Sequence, residues 1–400
     1  NYQVLGGNAH PLADGFFEEN PAKWTGNGAR APKPDINDWY ETVKVNYGVK
    51  PNGSYDFPTL PKTIATQDYR AHYEFWQDKE LPNSWYKFRD IALFWLDKGV
   101  DGFRYDMAEM VPVEFWSFLN SSIKMQKPDA FLLAEVYNPK MYRAYIHQGK
   151  MDFLYDKVGF YDTLKAIMQV KQPANTIFDA HKTVADIEQH MLHFLENHDE
   201  QRIASPDFAG NAAWGKPAMV VSNLISRAPS LLYFGQDVGE DGSENAGFGS
   251  PTRTSIFDYI GVPAHQAWMN KGQFDGAKLT NEQAALREYY KAIMALNTLP
   301  AVVGGDMQEL TITGSDRIVG FSRALGQQTI LVLSNFSEQT QSISVDLSLE
   351  QVTKLGESSL LVDLLEQHQA ALKTHSQGAT FNLTLEAFSS AVLTNKANNE

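Results

Sequence analysis

The chain has 400 residues, of which 48 are acidic and 34 are basic, so its formal net charge is −14. This charge argues against nucleic acids and anionic membranes as partners, because both bind clusters of lysine and arginine. The absence of cysteine excludes disulfides, thiolate metal sites and cysteine nucleophiles, and no apolar run approaches the roughly 20 residues that span a bilayer.

Residues 1–84 show little regular periodicity and are rich in proline, glycine, asparagine and aromatic residues, which is typical of loops with short elements. The first sustained pattern is "WYKFRDIALFWLDKG", which starts at Trp85 and repeats apolar side chains at helical spacing. Gly99 ends this pattern, so the sequence predicts a helix over 84–98.

Segments typical of strands and of helices alternate between residues 99 and 298. The predicted strands are "GVDGFRYDM", "AFLLAEVY", "MDFLYD", "MLHFLENHD" and "PSLLYFGQD". Helices are predicted near 112–125, 160–170, 179–190, 216–227 and 281–298. Because a strand followed by a helix and another strand implies parallel pairing, we expect the five strands in one parallel sheet.

Short strands separated by turns follow residue 300, as in "RIVGFSRAL", "QTILVLSNFS" and "SSAVLTN". This spacing is typical of an antiparallel β-sandwich. We therefore predict a boundary near Leu299, with loops in 1–84, an α/β domain in 85–299 and a β-sandwich domain in 300–400.

Three of the predicted parallel strands end in acidic side chains, Asp106, Glu135 and Asp199, and His198 precedes the last of them. Sites in parallel α/β proteins form at the carboxyl ends of strands. Arg104 lies two residues before Asp106 on one strand, so the two side chains point to the same side. Two charged side chains between apolar layers are costly to desolvate unless they form an ion pair or serve a function. Taken singly, each acid also has a structural explanation: a register-fixing ion pair, a loop-capping carboxylate or a solvated charge run.

Three acids at one mouth suit glycoside hydrolysis, in which carboxylates about 5 Å apart retain the anomeric configuration and a wider gap inverts it. Asp106, kept ionised by Arg104, would attack the anomeric carbon. Glu135, among apolar neighbours, would donate a proton to the departing oxygen. Asp199 would offset the positive charge on the sugar ring, and His198 would hydrogen-bond its hydroxyls.

A zinc site is the competing chemistry in this region. It would use His190, His193 and His198, which lie close together in the sequence. No HExxH pair accompanies them, so the sequence does not favour metal catalysis.

Aromatic residues in the first segment fit a sugar ligand, because flat apolar rings match the faces of pyranose rings. The candidates in loop-like sequence are Trp24, Trp39, Tyr40, Tyr47, Tyr55, Tyr69 and Trp76. Loop anchoring and core filling explain most of them equally well. Trp24 and Trp39 are the first two to test.

At these motifs the sequence resembles the α-amylase family, glycoside hydrolase family thirteen. "GFRYDMAEM", "FLLAEVY" and "FLENHDEQR" are similar to the second, third and fourth conserved stretches of that family, in the same order. The resemblance implies Asp106 as nucleophile, Glu135 as general acid and base, and Asp199 as transition-state stabiliser. It also implies that Arg104 and His198 bind substrate.

The resemblance implies a TIM (β/α)8 barrel followed by a C-terminal antiparallel β-sandwich domain. Strands four to eight would be visible in this chain, and 1–84 would be the tail of the domain B-like insertion after strand three. The family's first stretch, an Asp followed by Asn and His, has no counterpart before Gly99. We therefore expect the missing N-terminal barrel segment from the same or another chain, because five parallel strands leave two hydrophobic edges open. Standing alone, such a protein would be unstable and inactive.

A second departure concerns the structural calcium of the family. Glu109 and Met110 occupy positions at which many calcium-binding members carry Lys and His. This difference argues against the calcium that the resemblance implies, and the chemistry itself requires no cofactor.

We therefore expect an α-amylase-like retaining hydrolase that cleaves α-1,4-glucosidic bonds in starch or maltodextrins. A transglycosylase or maltose-isomerising enzyme of the same family would carry the same acids and differ in its acceptor-site loops. A non-catalytic carbohydrate-binding protein is the alternative from another class. Secretion or a periplasmic location is expected because polymeric starch lies outside cells, although a cytoplasmic maltodextrin enzyme would fit the same residues.

Overall fold

The computed structural model describes residues 3–4, 17–18, 45–50, 52–242, 253–254, 261–356, 359–365 and 368–395. These residues belong to two compact units. The first unit contains the residues up to Phe103 together with 110–132 and 147–150, and the second contains 104–109, 133–146 and the residues from Met151 onward. Within the described ranges, no helix combines the length and the apolar character needed to cross a bilayer.

The first unit is mainly helical where it is described. Strands β1 (Gln3–Val4) and β2 (Phe17–Glu18) pair antiparallel. The helices are α1 (Lys62–Ala65), α2 (Tyr69–Trp76), α3 (Asn83–Asp97) and α4 (Val113–Gln126). Helix α3 confirms the helix predicted over 84–98. Gly99 follows it with a φ of +95°, a left-handed conformation that glycine adopts without steric cost.

The core of the first unit forms around the indole rings of Trp76 and Trp85, which are both almost fully buried. Trp85 packs edge-on against Phe115 of α4, with ring centroids 5.5 Å apart. The Nε1 of Trp76 donates to Ser117 Oγ at 2.8 Å. The placement of Tyr69 and Trp76 in loop-like sequence is therefore wrong, because both lie in α2, and Trp76 fills the core.

Only some of the other aromatic candidates lie within the described residues. Tyr47 packs against Phe115 with ring centroids 4.9 Å apart, so part of its surface anchors the unit. Tyr55 stacks on Phe57 at 4.8 Å and stays 48% exposed. Trp24, Trp39 and Tyr40 lie outside the described residues, so their contact with a sugar remains a prediction.

The buried His72 should make the first unit sensitive to acid. Burial, with a smaller contribution from the charge of Lys150, lowers the pKa of His72 from 6.5 to about 4. As the pH falls, the unfolded chain therefore binds a proton at His72 before the folded chain does. The stability contributed by the neutral His72 is fully present above pH 6.5 and is lost as the pH falls toward 4. We expect up to about 3 kcal/mol of stability to be lost this way. The measurement is the free energy of unfolding of the wild type and of His72→Leu at pH 7 and pH 4.5. The wild type should lose more stability than the variant between the two pH values, and an equal loss in both proteins contradicts this expectation.

The five predicted parallel strands are present in one sheet. They are β3 (Gly102–Tyr105), β4 (Phe131–Ala134), β5 (Phe153–Tyr155), β6 (Met191–Phe194) and β7 (Ser230–Leu231), in that spatial order. Strands β4 to β7 pair in parallel. A Cβ at position 102 would lie 1.9 Å from the carbonyl oxygen of Phe131, so the close approach of β3 and β4 requires Gly102.

Helices follow the strands, and those at 142–147, 263–269 and 300–303 were not predicted from the sequence. The helices are α5 (Tyr142–His147), α6 (Asp162–Met168), α7 (Thr176–Thr183), α8 (Lys216–Leu224), α9 (Pro263–Met269), α10 (Asn281–Leu296) and α11 (Pro300–Val303). The single helix predicted near 179–190 is wrong, because α7 ends at Thr183 and a separate 3₁₀ turn spans Glu188–His190. In its place, Glu188 turns to accept the backbone N–H of Arg227 at 2.9 Å.

The C-terminal part contains the expected antiparallel strands. In chain order they are β8 (Asp306–Glu309), β9 (Thr311–Thr313), β10 (Ile318–Leu325), β11 (Gln328–Asn335), β12 (Gln341–Ser348), β13 (Leu360–Asp363), β14 (Gln369–Ala371), β15 (Lys373–His375), β16 (Gly378–Leu385) and β17 (Ser390–Asn395), with α12 (Leu349–Leu355) after β12. One sheet has the order β14-β13-β17-β11-β10-β8 and the other β15-β16-β12-β9. Side chains of both sheets share one buried cluster that includes Leu331, Val345, Phe381 and Leu393. The domain boundary near Leu299 stays a prediction.

Two arginines of the antiparallel part donate to backbone carbonyls at or near the ends of helices. Arg323 of β10 is buried and donates to Ile225 O at the end of α8 (2.7 Å) and to Val302 O in α11 (2.6 Å). Arg317 donates to Ile167 O in α6 at 2.6 Å. Because the carbonyls at helix C-termini carry partial negative charge, they stabilise these guanidinium groups.

Candidate active site

Arg104 and Asp106 lie at the carboxyl end of β3 and bind each other. Arg104 is within the strand and donates through Nη1 to Asp106 Oδ1. Asp106 follows one residue after the end of the strand, and its side chain is 60% exposed. The expectation of a charged pair enclosed by apolar layers is therefore wrong. The physical reason is that β3 is the first strand of the described sheet and is only partly covered, so Asp106 remains open to a ligand.

Glu135 directly follows β4 and is 7% exposed. Its Oε2 accepts the backbone N–H of Met107 at 2.9 Å and lies 3.4 Å from Arg104 Nη2. Its own N–H donates to Tyr105 O at 3.0 Å, which extends the pairing of the two strands. The two acids of neighbouring strands thus share one guanidinium.

Met107 has an unusual backbone conformation next to this pair. Its φ is +48°, in the left-handed region that side-chain-bearing residues seldom adopt. This conformation directs its N–H to Glu135, 28 residues away in the sequence. A side-chain-bearing residue held in this conformation is a common feature of functional sites.

The charge of Arg104 is held in place by its surroundings. Burial opposes the charge, but hydrogen bonding to Tyr155 and to Asp106 more than compensates and raises the pKa of the guanidinium above its usual value. The guanidinium carbon lies 5.6 Å from the centroid of the Tyr155 ring, at cation–π distance. Arg104 is therefore a permanent cation between the two carboxylates.

Asp199 is presented by a turn that follows β6. The side chain of Asn197 accepts the backbone N–H groups of Asp199 and Glu200, both at 2.8 Å, which fixes the turn. His198 Nε2 lies 3.1 Å from Asp199 Oδ2. The hydrogen bond from His198 lowers the pKa of Asp199, and the charges of Arg104 and Arg253 add to this effect while burial opposes it. Asp199 is therefore an anion at neutral pH.

The structure brings the five sequence-predicted residues together in two linked groups. Arg104 binds Asp106 and Glu135 directly, whereas His198 binds Asp199. The two groups are coupled because the charge of Arg104 acts on Asp199.

Sequence reasoning missed the residues that support this site. Met107, Tyr155 and Asn197 act on it through a backbone N–H, an aromatic face and a turn-forming amide. Only Asn197 had a sequence signal, since asparagine favours such turns.

A buried ion pair flanks Asp199 in the sequence. Glu196 and Arg202 are 1% and 0% exposed, and Arg202 Nη1 lies 2.9 Å from Glu196 Oε1. Arg202 also donates to Phe234 O at 2.7 Å and to Thr254 Oγ1 at 2.8 Å. The Glu196–Arg202 pair thereby connects the segment after β6 to the segment after β7.

The three histidines of the zinc hypothesis have separate partners. His193 is buried, stacks on Phe160 with centroids 3.8 Å apart and bonds Ser222 O through Nδ1 at 2.8 Å. His190 forms a hydrogen bond through Nδ1 with Asp152 O at 2.8 Å, and Nε2 of His198 contacts Asp199 Oδ2. In the part of the chain that the structure covers, no group of three His, Asp or Glu side chains could hold a metal ion. Whether a calcium ion binds elsewhere stays a prediction.

Comparisons with known proteins show which family the sequence matches. The family model described as "Alpha amylase, catalytic domain" matches residues 66–289. Neopullulanase 2 of Thermoactinomyces vulgaris is 22% identical over 313 residues, which cover 76% of this chain and 47% of that protein. A maltosyltransferase of Cereibacter sphaeroides, named alpha-1,4-glucan:maltose-1-phosphate maltosyltransferase, is 33% identical over 109 residues, covering 27% of this chain and 16% of that protein. The chain thus spans about half the length of the first of these relatives.

Solved structures show the same fold at low sequence identity. The α-amylase of Geobacillus thermoleovorans in complex with acarbose has a TM-score of 0.60 at 19% identity, over 85% of this chain and 72% of that chain. An Anoxybacillus α-amylase has a TM-score of 0.59 at 21% identity, over 85% and 70% of the two chains. Because the catalytic-domain model covers more than half of the residues, this protein belongs to the α-amylase family.

Proposed function

We propose that the protein is a retaining glycosidase that cleaves α-1,4-glucosidic bonds in starch or maltodextrins. The observation that carries this proposal is the single guanidinium of Arg104, which binds Asp106 and also lies 3.4 Å from Glu135. Two carboxylates so close together suit a double displacement, in which they are about 5 to 5.5 Å apart. The anionic Asp199 supplies the third acid.

In the first step Asp106 attacks the anomeric carbon of the bound glucose unit. The bond from that carbon to the glycosidic oxygen breaks, and the departing oxygen takes a proton from Glu135. Because Oε2 of Glu135 already faces the N–H of Met107 and the guanidinium of Arg104, the proton resides on Oε1. The product of this step is a glycosyl ester on Asp106 and an ionised Glu135.

In the second step Glu135 removes a proton from water. The water oxygen forms a bond to the anomeric carbon, the ester bond to Asp106 breaks, and both carboxyl groups return to their starting states. The negative charge of Asp199 stabilises the positive charge that develops on the sugar ring in both transition states. His198 binds a sugar hydroxyl while its contact with Asp199 keeps that carboxylate ionised.

The same proposal places the five parallel strands as strands four to eight of an eight-stranded barrel, with the antiparallel sheets as a β-sandwich after it. The location of the enzyme follows its substrate: polymeric starch requires secretion or a periplasmic location, and maltodextrin degradation also suits the cytoplasm.

The decisive experiment is a product analysis with maltoheptaose. We expect shorter maltooligosaccharides, and proton NMR in the first minutes should show the newly formed reducing ends as the α-anomer. Release of the β-anomer would contradict retention. Binding of maltoheptaose without cleavage would contradict a catalytic function and support a carbohydrate-binding protein.

A transglycosylase is the second candidate function, and one comparison favours it. The maltosyltransferase relative is 33% identical over 109 residues of this chain, whereas the neopullulanase is 22% identical over 313 residues. A transglycosylase uses the same glycosyl ester and replaces water by a sugar hydroxyl. Products longer than maltoheptaose would support this candidate over the hydrolase.

Removal of His198 should weaken binding of the transition state. For His198→Ala we expect kcat/KM on maltoheptaose to fall about 10- to 1,000-fold. This fall corresponds to a loss of transition-state stabilisation of about a few kcal/mol at most. Because His198 lowers the pKa of Asp199, the acid side of the pH–rate profile should also move to higher pH. The control is His190→Ala, which changes the histidine at the opposite end of β6 and should keep parental kinetics. Equal kinetics for the two variants would refute this role of His198.

A further inference from the structure

Glu109 binds the segment that follows β4 at three points. It lies in a short 3₁₀ turn (Ala108–Met110), and its Oε2 accepts the backbone N–H groups of Tyr137 at 2.8 Å and of Asn138 at 2.9 Å. Its carbonyl oxygen accepts the hydroxyl of Tyr145 at 3.1 Å. A carboxylate that accepts two backbone N–H groups forms strong, directional hydrogen bonds.

This contact is half of a reciprocal clamp between two loops. In the loop after β3, the N–H of Met107 donates to the carboxylate of Glu135. In the loop after β4, the backbone N–H groups donate to the carboxylate of Glu109. Only one residue separates Glu135 from Tyr137. The carboxylate of Glu109 therefore fixes the backbone immediately beside Glu135.

The left-handed backbone of Met107 indicates why a second contact is needed. A residue held at a φ of +48° keeps that conformation only when the surrounding structure restrains it. The hydrogen bonds of Glu109 restrain the same turn from the other side, two residues later. Without them the N–H of Met107 is free to turn away from Oε2 of Glu135.

We infer that Glu109 is a positioning residue, which holds the carboxyl group of Glu135 in line with the departing glycosidic oxygen. This inference rests on the proposed function, because it assigns Glu109 to the proton transfer that Glu135 performs. Glu109 itself does not touch the reacting atoms. A displacement of the acid by 1 Å is enough to cost about 10²-fold in rate.

The test compares two substrates that differ in their need for an acid. Maltoheptaose releases a sugar alkoxide, which requires a proton from Glu135. α-Maltosyl fluoride releases fluoride without a proton, since the C–F bond breaks as the bond to Asp106 forms. Azide added as the acceptor forms a C–N bond and needs no base, so turnover of the fluoride with azide bypasses Glu135 in both steps.

For Glu109→Ala we expect kcat on maltoheptaose to fall about 100-fold, and turnover of the fluoride with azide to change by less than about threefold. Glu109→Gln keeps one carbonyl oxygen that can accept both N–H groups, so it should restore the rate on maltoheptaose to within about threefold of the parent. Glu109→Met, which keeps the length of the side chain without an acceptor, should behave like Glu109→Ala and serves if the alanine variant does not fold.

Asp68 provides the matched control. Its carboxylate also accepts two backbone N–H groups, those of Arg70 at 3.1 Å and Ala71 at 3.2 Å, at the start of α2 in the first unit. Asp68→Ala should leave both rates unchanged.

Two outcomes would overturn the inference and are distinguishable. Equal slowing of both substrates by Glu109→Ala, with Glu135→Gln slowing only maltoheptaose, overturns the positioning role and leaves the proposed function in place. If Glu135→Gln itself slows both substrates equally, Glu135 is not the acid, and the proposed function fails together with the inference.

Discussion

Asp106→Asn and Glu135→Gln should each lower the turnover of maltoheptaose by at least about a thousandfold. An amide at position 106 cannot form the glycosyl ester, and an amide at position 135 cannot give a proton to the departing oxygen. Both replacements keep the shape of the side chain, and both leave an oxygen that accepts from Arg104 or from the N–H of Met107. The local hydrogen bonds should therefore survive while the chemistry is lost.

The measurement is the release of reducing ends from maltoheptaose, together with calorimetric binding of the same sugar. Both variants should still bind it, which separates lost chemistry from a lost fold. Asp179→Asn is the control, because Asp179 of α7 has an 81% exposed side chain and should be silent. Near-parental rates in either active-site variant would overturn the assignment of that residue.

Arg202→Met should lower the free energy of unfolding by about 3 to 5 kcal/mol. Arg202 is the cation of a fully buried ion pair, and its removal leaves the charge of Glu196 in the interior without compensation. The carbonyl of Phe234 and the hydroxyl of Thr254 lose a donor at the same time. Three groups thus depend on one guanidinium.

The loss should depend on pH, because Glu196 can escape the penalty by protonation. Burial raises the pKa of Glu196 from 4.5 to about 7 even with Arg202 beside it. In the variant a protonated, neutral Glu196 is tolerated below that pH, so the destabilisation should be smaller at pH 5.5 than at pH 8. Urea unfolding at the two pH values provides the measurement.

A double-mutant cycle sharpens this test. Arg202→Met combined with Glu196→Gln removes both charges and should lose less stability than the sum of the single variants. Arg143→Met is the control, since Arg143 forms an exposed ion pair with Asp186 that should contribute at most about 1 kcal/mol. Additive effects at positions 196 and 202 would contradict the coupling of the pair.

The strand ends of the site could be predicted from the sequence. A parallel strand needs an unbroken apolar run because both of its faces are covered, so the first charged residue after the run marks where the strand leaves the core. This rule located Asp106 and Glu135, which directly follow β3 and β4. It did not locate Asp199, because β6 ends at Phe194 and the turn fixed by Asn197 carries Asp199 beyond the predicted strand end. It overestimated the burial of Asp106, because the local pattern does not show that β3 lies at one end of the described sheet.

The contacts that complete the site could not be predicted. Methionine has no local preference for a positive φ, so contacts with residues distant in the sequence, such as Glu135, explain the backbone of Met107. Likewise, the break after α7 carries no glycine or proline. It follows from the bond between Glu188 and Arg227, 39 residues apart. Each feature depends on tertiary contacts that override local propensity.

The donations of Arg317 and Arg323 to helix carbonyls have a consequence for heat denaturation. Both arginines belong to the antiparallel part and donate to the carbonyls of Ile167 and Ile225 in the α/β part. Phe321 and Val332 share a buried core with Leu224 and Ile225. Melting either part alone would leave the buried guanidinium of Arg323 without its acceptors and would open a common interior. A calorimeter should therefore record both parts absorbing heat in one cooperative peak.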